Sequence, residues 1–260
     1  MKKVILDGKI LADSNRAQDY LKYMLEFPEY YGKNLDALYD SLAELCDVEL
    51  VVQMPNRESD YLHQIIEVFA DAAEGHEGIK VTVEPAKAEN EQLILVDLFD
   101  REIGPGEKME THVREQLHRA FSVFIVHDGK MLIQQRALDK YHSAGLWANA
   151  CCSHPRYGET FEESVQTRLE VELGIPTGTC QPKELFSFVY YSRYDGLSEY
   201  EYDHVLLVDY AGKVWENPEE VMDTRWISYE DLQKEMEKEP AKFSTWFMIA
   251  APKVLKELNK

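Results

Sequence analysis

The chain has 260 residues, 45% hydrophobic and 29% charged, the make-up of a folded protein long enough for two domains. Its formal net charge of −20 disfavours nonspecific binding to nucleic acid and favours basic partners, or a small anion held by a few locally gathered cations. No apolar run of about 18 residues is present, so no membrane span is expected. The opening MKKVILDGKI meets a charge at Asp7 before a signal-type apolar core can form, which predicts a cytoplasmic protein. Cys46, Cys151, Cys152 and Cys180 show neither disulfide nor zinc-ribbon spacing, and the adjacent pair reads as thiols rather than a bridge.

In chain order, residues 4–6 predict a short strand turned by Asp7-Gly8. Asp13 is placed to N-cap a helix ending near Leu25. Pro28 and Gly32 break the chain, and Asn34 is placed to cap a helix through about Leu45. A buried strand is expected at 48–54, a helix at about 57–74 with Leu62, Ile65, Ile66 and Phe69 on one side, and a strand at 79–83. The order β-α-α-β-α-β implies a small α/β domain with a parallel sheet. On the helix after Gly32, Asp36 and Asp40 share a face beside Tyr39, with Tyr30 and Tyr31 in the preceding loop. Such a face is either a solvated acidic surface or a binding face for a cationic partner.

The polar stretch EPAKAEN, residues 84–90, marks a boundary between domains at 1–88 and 89–260. A strand is predicted at 93–96. FSVFIVHDGKMLIQQRA then reads as a hairpin around Asp128-Gly129. A loop carrying Cys151, Cys152 and His154 leads to a helix at 159–173. Its apolar stripe is Phe161, Val165, Leu169 and Leu173, and Gly174 ends it. Strands at 202–210 and 224–227 and helices at 229–238 and from near Ser244 close the chain, with Pro252 a possible bend.

Potential metal ligands gather in three places: His112 and His118 before the hairpin, His154 in the loop, and Glu199 with Glu201 on one side of a strand. Imidazoles with carboxylates suit zinc, manganese or iron better than calcium. Singly, each histidine is an ordinary surface or capping residue, and nothing in the sequence alone brings the three places together. Lys108, Arg136, Lys140 and Arg168 are individually surface charges; together they could hold a diphosphate. Arg168 and Glu172 suit a metal-bound phosphate or a simple i,i+4 ion pair.

PEYYGKNLDALYDSL resembles the family of barstar, an intracellular ribonuclease inhibitor, and the similarity in element order covers residues 1–85. The resemblance implies a three-stranded parallel sheet with helices. It also implies a partner, a basic ribonuclease-like protein met by Tyr30, Asn34, Asp36, Tyr39 and Asp40, with Asp71 in support. Tyr39 stands where that family has tryptophan, and Lys33 where it is acidic.

GLWANACCSHPRYGE, with the hairpin before it and SEYEYD after it, is similar to type I isopentenyl-diphosphate isomerase, over roughly 93–256. That resemblance implies the Nudix fold, an α/β/α sandwich with a mixed sheet, and a role in isoprenoid biosynthesis. It implies a divalent metal (zinc, manganese or magnesium) on His112, His118, His154, Glu199 and Glu201, and Cys152 and Glu201 as catalytic. Cys151 takes a structural role. It implies diphosphate contacts from Lys108, Arg136, Lys140 and Arg168, and Glu172 on a magnesium ion that accompanies the diphosphate. Trp147, Trp246 and Tyr190 match pocket residues.

The chemistry suits these residue types. Shifting a double bond by one carbon needs one group to add a proton and another to remove one. Two alternatives stand beside this reading. One is a Nudix diphosphate hydrolase, whose helix pattern here has Ser164, Thr167-Arg168 and Val171 in place of the expected residues. The other is a non-catalytic interaction protein built on an inhibitor module.

Overall fold

The computed structural model describes residues 2–55, 59–85, 92–140 and 142–258, which divide into two units, 1–88 and 89–260. In the first unit β1 (Lys2–Asp7), β2 (Val48–Gln53) and β3 (Ile79–Glu84) pair in parallel in that spatial order. Helices α1 (Gly8–Leu11), α2 (Ala17–Met24), α3 (Leu35–Ala43) and α4 (Asp60–Gly75) connect them. Parallel strands need such crossovers, and the helices bury their apolar sides: Leu38, Leu42, Leu62, Ile65 and Phe69 are inaccessible to solvent, as are Leu6, Leu50 and Val52 of the strands.

Two local expectations fail here. Asp7-Gly8 does not turn into a loop, because Asp7 Oδ1 accepts from the Lys9 amide at 2.8 Å and caps α1. Asp13 caps no helix: its Oδ1 accepts from the Asn15 amide at 3.0 Å in the turn before α2, which begins without a side-chain cap. A short aspartate can satisfy a nearby turn as readily as a helix start. Asn34 does cap α3, accepting from the Ala37 amide at 2.8 Å. The helix expected from about 57 starts at Asp60 with Ser59 as its cap; Arg57 and residues 86–90 of the expected boundary lie outside the described residues.

The second unit is built on a nine-stranded mixed sheet among its described residues. Its strands are β4 (Gln92–Val96), β5 (Glu102–Glu107), β6 (His118–His127), β7 (Lys130–Arg136), β8 (Trp147–Asn149), β9 (Cys151–Ser153), β10 (Lys183–Arg193), β11 (Ser198–Asp209) and β12 (Val221–Ser228). Helices α5 (Lys108–Val113), α6 (Phe161–Leu173), α7 (Tyr229–Lys238) and α8 (Thr245–Leu258) accompany it. The hairpin β6–β7 turns at Asp128 and Gly129, both with positive φ (45° and 72°), as that dipeptide favours.

Strand β6 is the spine. It pairs in parallel with β11, and antiparallel with β7, β9 and, at one position, β4. Its side chains alternate between two cores. Phe121, Val123 and Ile125 pack with Val165, Leu169 and Leu173 of α6; Phe124 and Val126 pack with Phe247, Ala250, Ala251 and Val254 of α8. The sheet is thus covered by helices on both faces, the expected sandwich. Gly174 ends α6 at φ 60°, where a side chain would be strained.

Three elements were not expected. β5 (EIGPGE) hides behind its glycines and proline, and α5 is a short helix with no apolar period. β10 lies at the end of the strand path, half-buried on both faces and irregular between Glu184 and Phe186. The cysteine loop is instead the short strands β8 and β9. Pro252 lies inside α8 without ending it. Among the described residues no helix is long and apolar enough to cross a membrane.

Leu169 is 1% exposed in the core under α6. Leu169→Ala is expected to destabilise the second unit by about 2–5 kcal/mol. The four tryptophans all lie in that unit, so their fluorescence in a denaturant titration reads it directly.

Candidate functional site

Glu199, Glu201 and Asp203 are spaced two apart on β11 and so share a face. Register does the rest. Parallel pairing sets Glu201 beside His118 of β6, and antiparallel pairing sets it beside Tyr190 of β10. On the other edge of β6, β9 sets Cys152 opposite Ser122, and His154 follows directly. Helix α5, capped by Glu107, brings in His112.

The ligand atoms of His112, His118, His154 and Glu199 consequently lie within 4.8 Å of one another, and all four residues are buried. Glu201 adjoins them, with Oε1 2.8 Å from His154 Nε2 and 3.9 Å from His118 Nε2. Backbone carbonyls fix two tautomers. His112 Nδ1 donates to Lys108 O at 2.5 Å and His118 Nδ1 to Gln116 O at 2.9 Å. His118, neutral, then turns its Nε2 lone pair toward Glu199 Oε2 at 3.8 Å, whereas His112 Nε2 lies 3.2 Å from that oxygen. Although burial lowers the His112 imidazole, its hydrogen bond to Glu199 prevails and holds it above its ordinary value. His118 Nε2 has no hydrogen-bond partner among the described residues. Lone pairs facing a carboxylate repel unless protons or a cation lie between them. Two imidazoles oriented by carbonyls around a buried carboxylate are a donor set that could hold a divalent metal.

Burial pushes the His118 imidazole down to about 4 and His154 well below its ordinary value, so both are neutral. Burial acts to raise the Glu199 carboxyl, but hydrogen bonds from His112, His142 and His154 hold it well below the usual carboxylate range. Glu201 goes the other way, pushed well up by burial and then by the Glu199 charge. Tyr190 donates its hydroxyl to Glu201 Oε2 at 2.7 Å. Burial also pushes the Cys152 thiol up to about 12, against the pull of Arg136, whose Nη1 is 3.7 Å from Sγ. Cys152 therefore holds its proton at neutral pH. Cys151 is fully buried in the α6 core.

The same cleft gathers cations. Lys108, Arg136, Lys140, Arg156 and Arg168 line it together with Cys152, Glu201, Tyr190 and Trp246. Arg168 donates to Glu172 Oε1 at 2.9 Å and also meets Glu220 Oε1 at 3.3 Å; Glu220 pairs with Lys140 as well. Lys108 is pushed down by burial and then by the neighbouring charges of Arg156, Arg168 and Lys140. Like charges crowded into one buried cleft are relieved by a multiply charged anion.

Of the residues singled out from sequence, His112 and His118 do not line the cleft but adjoin Glu199, which does, and Trp147 does not line it either. Its ring lies 4.3 Å under the Arg225 guanidinium. Four residues that do shape the site escaped sequence reasoning. His142 meets Glu199, Arg156 donates to His154 O at 3.3 Å, Glu220 bridges two cations, and Asn149 accepts from Trp246 Nε1 at 3.0 Å. Asn149 and Arg156 stand inside the GLWANACCSHPRYGE stretch, but no period or spacing marks a role for any of the four; chain reversals and strand pairing bring them in.

On the first unit Tyr30, Asn34, Asp36, Tyr39, Asp40 and Asp71 are all exposed, Tyr30 at 82%. Tyr31, by contrast, is buried and donates to Gln18. Lys33 pairs with Asp19 at 2.5 Å, which turns its charge aside to α2.

Comparison with known proteins matches residues 116–247 to the NUDIX domain and residues 1–86 to Barstar (barnase inhibitor). An isopentenyl-diphosphate Delta-isomerase of Serratia proteamaculans is 42% identical over 172 residues, 65% of this chain and 92% of its own length. One from Photobacterium profundum is 43% identical over 175 residues, 65% of this chain and 97% of its own. The crystal structure of DR0079 from Deinococcus radiodurans aligns with a TM-score of 0.52 at 18% identity, covering 63% of this chain and 98% of its own, a likeness of fold alone.

Asn149 is fully buried; its amide donates to Val123 O and Cys151 O while its oxygen accepts from Trp246. Asn149→Ala leaves these groups unpaired and is expected to cost roughly 1–3 kcal/mol, read as an earlier denaturation midpoint with a shifted tryptophan emission.

Proposed function

The chain belongs to the Nudix family and carries a Barstar domain ahead of its Nudix domain, and from that premise we propose a two-part function. Residues 89–260 interconvert isopentenyl and dimethylallyl diphosphate, and residues 1–88 are a protein-binding module. The observation that carries the first part is a cleft lined at once by Cys152, Glu201, His154 and a nest of cations, with His112 and His118 adjoining it through Glu199. The isomerase names of relatives about 40% identical support it.

In this reading Lys108, Arg136, Lys140 and Arg168 bind the diphosphate, and Glu172 would hold the magnesium ion that accompanies it. Cys152, which keeps its proton, donates it to the terminal alkene carbon of isopentenyl diphosphate, and a C–H bond forms there. The positive charge falls on the tertiary carbon. The nearby Trp246 ring can stabilise it by about 0.5–2 kcal/mol. Glu201 then removes a proton from the methylene next to that carbon, and the released electron pair becomes the new double bond. Tyr190 orients Glu201 through its hydroxyl. His112, His118, His154, Glu199 and Glu201 would hold a zinc, manganese or magnesium ion, whose charge would keep Glu201 ionised against the burial that otherwise protonates it. Hydrolysis is disfavoured because, of the carboxylates that chemistry needs on the helix, only Glu172 is matched.

For the first unit, exposed Tyr30, Asp36, Tyr39 and Asp40, with Asn34 and Asp71, form the face we infer meets a basic ribonuclease-like protein. The Barstar match supports this reading, and exposed aromatics among carboxylates suit such a partner.

Incubated with isopentenyl diphosphate and Mg²⁺ in D₂O, the protein is expected to form dimethylallyl diphosphate with deuterium incorporated. Release of phosphate without isomer would favour hydrolysis. Cys152→Ala should lose turnover by at least about a hundredfold; full activity in that variant would remove Cys152 from the mechanism. Titration against a barnase-type ribonuclease tests the first unit: inhibition should weaken at least about tenfold in Asp40→Ala, and equal inhibition would exclude the acidic face.

A further inference from the structure

His142 lines the cleft, yet it has no part in the reaction proposed above. It lies between β7 and β8, in the loop that carries Lys140. Its Nε2 is 2.6 Å from Glu199 Oε1. Its Nδ1 is 3.2 Å from Ser143 Oγ. The ring stacks on Tyr194 at 4.6 Å and meets the edge of Trp246 at 5.7 Å. Its backbone carbonyl accepts from Arg136 Nη2 at 3.4 Å. Packing on two rings and a hydrogen bond at each nitrogen leave this imidazole one orientation.

That orientation decides what Glu199 can do. Glu199 Oε1 can only accept, so the Nε2 proton of His142 goes to it. The other oxygen, Oε2, is the one that faces His112, His118 and His154, at 3.2, 3.8 and 3.8 Å. The terminal torsion of a glutamate is soft, so a carboxylate held at one oxygen has its second oxygen aimed. We propose that His142 is a positioning residue of the metal site: it anchors Glu199 Oε1 and thereby presents Oε2 to the ion. Outer-shell partners of this kind commonly govern metal affinity. Because one loop carries both His142 and Lys140, the anchor also ties the ion site to the diphosphate contacts. The inference rests on reading the His/Glu cluster as a divalent-ion site.

The test is Zn²⁺ affinity of the full-length protein, measured by competition with a chromogenic chelator and without any turnover. His142→Phe keeps a ring against Tyr194 and loses the N–H; His142→Gln loses the ring and keeps an amide N–H at similar reach. His142→Phe is expected to weaken Zn²⁺ binding on the order of 10- to 100-fold, and His142→Gln to recover most of that loss. Phe binding as tightly as wild type overturns the proposal. So do Phe and Gln variants that are equally weak, since ring packing alone would then explain the effect. If His142→Phe does not fold, His142→Leu replaces it, judged by the same comparison with Gln. Failure of the underlying reading looks different: wild type and His118→Ala would both take up no stoichiometric Zn²⁺, and the inference falls with it.

Discussion

Two carboxylates on one face of a buried strand repel each other, and each loses its hydration as the strand is covered. Glu199 and Glu201 of β11 are held in that situation, 2% and 7% exposed. Most of the second unit answers to it. Parallel pairing with β6 brings His118, β9 brings His154, α5 brings His112, and the loop after β7 brings His142. The outcome is asymmetric. Glu199 takes the hydrogen bonds and stays ionised, while Glu201 is pushed toward its protonated form and keeps Tyr190 and His154 as partners. Two neighbouring carboxyls with opposite tendencies are the raw material of acid–base chemistry.

The anion-binding side answers to a second balance. In a chain of net charge −20, five cations meet in one cleft. Glu172 and Glu220 keep that arrangement folded, since Arg168 reaches both and Lys140 reaches Glu220. Lys108 still feels the crowding. A diphosphate would relieve it, and the surrounding negative charge of the chain would discourage anions that lack such a nest. Cys152 connects the two balances, because the Arg136 guanidinium that favours its thiolate is also a proposed phosphate contact, while burial keeps the thiol protonated.

The first unit uses carboxylates in the opposite way. Asp36 and Asp40 stay in water, where repulsion is mild and cheap, and the nearby aromatics Tyr30 and Tyr39 stay exposed. Its interior is aliphatic and aromatic, and Tyr31 turns inward to Gln18 rather than joining that face. Buried charge marks the proposed reaction site; exposed charge beside rings marks the proposed protein-binding face.

Where a pattern is local, it was readable. The Asp128-Gly129 hairpin, the apolar stripe of α6 with Gly174 behind it, the Asn34 cap and the helix Tyr229–Lys238 all follow from neighbours in the chain. β5, α5 and β10 were missed because glycine, proline or half-exposed faces erase the period, and the aspartates at 7 and 13 exchanged capping roles because both satisfy short turns. The chemistry on offer was equally plain: imidazoles, paired glutamates, a cysteine and a few cations, with a family resemblance to join them. Which of these meet was decided only in three dimensions. A strand's register sets every contact across it, and a shift by one residue would turn Glu199 and Glu201 to the other face. His142, Arg156, Glu220 and Asn149 join the site, and Trp147 packs under Arg225 instead, because contacts between distant segments depend on how strands pair and loops return, which no local spacing encodes.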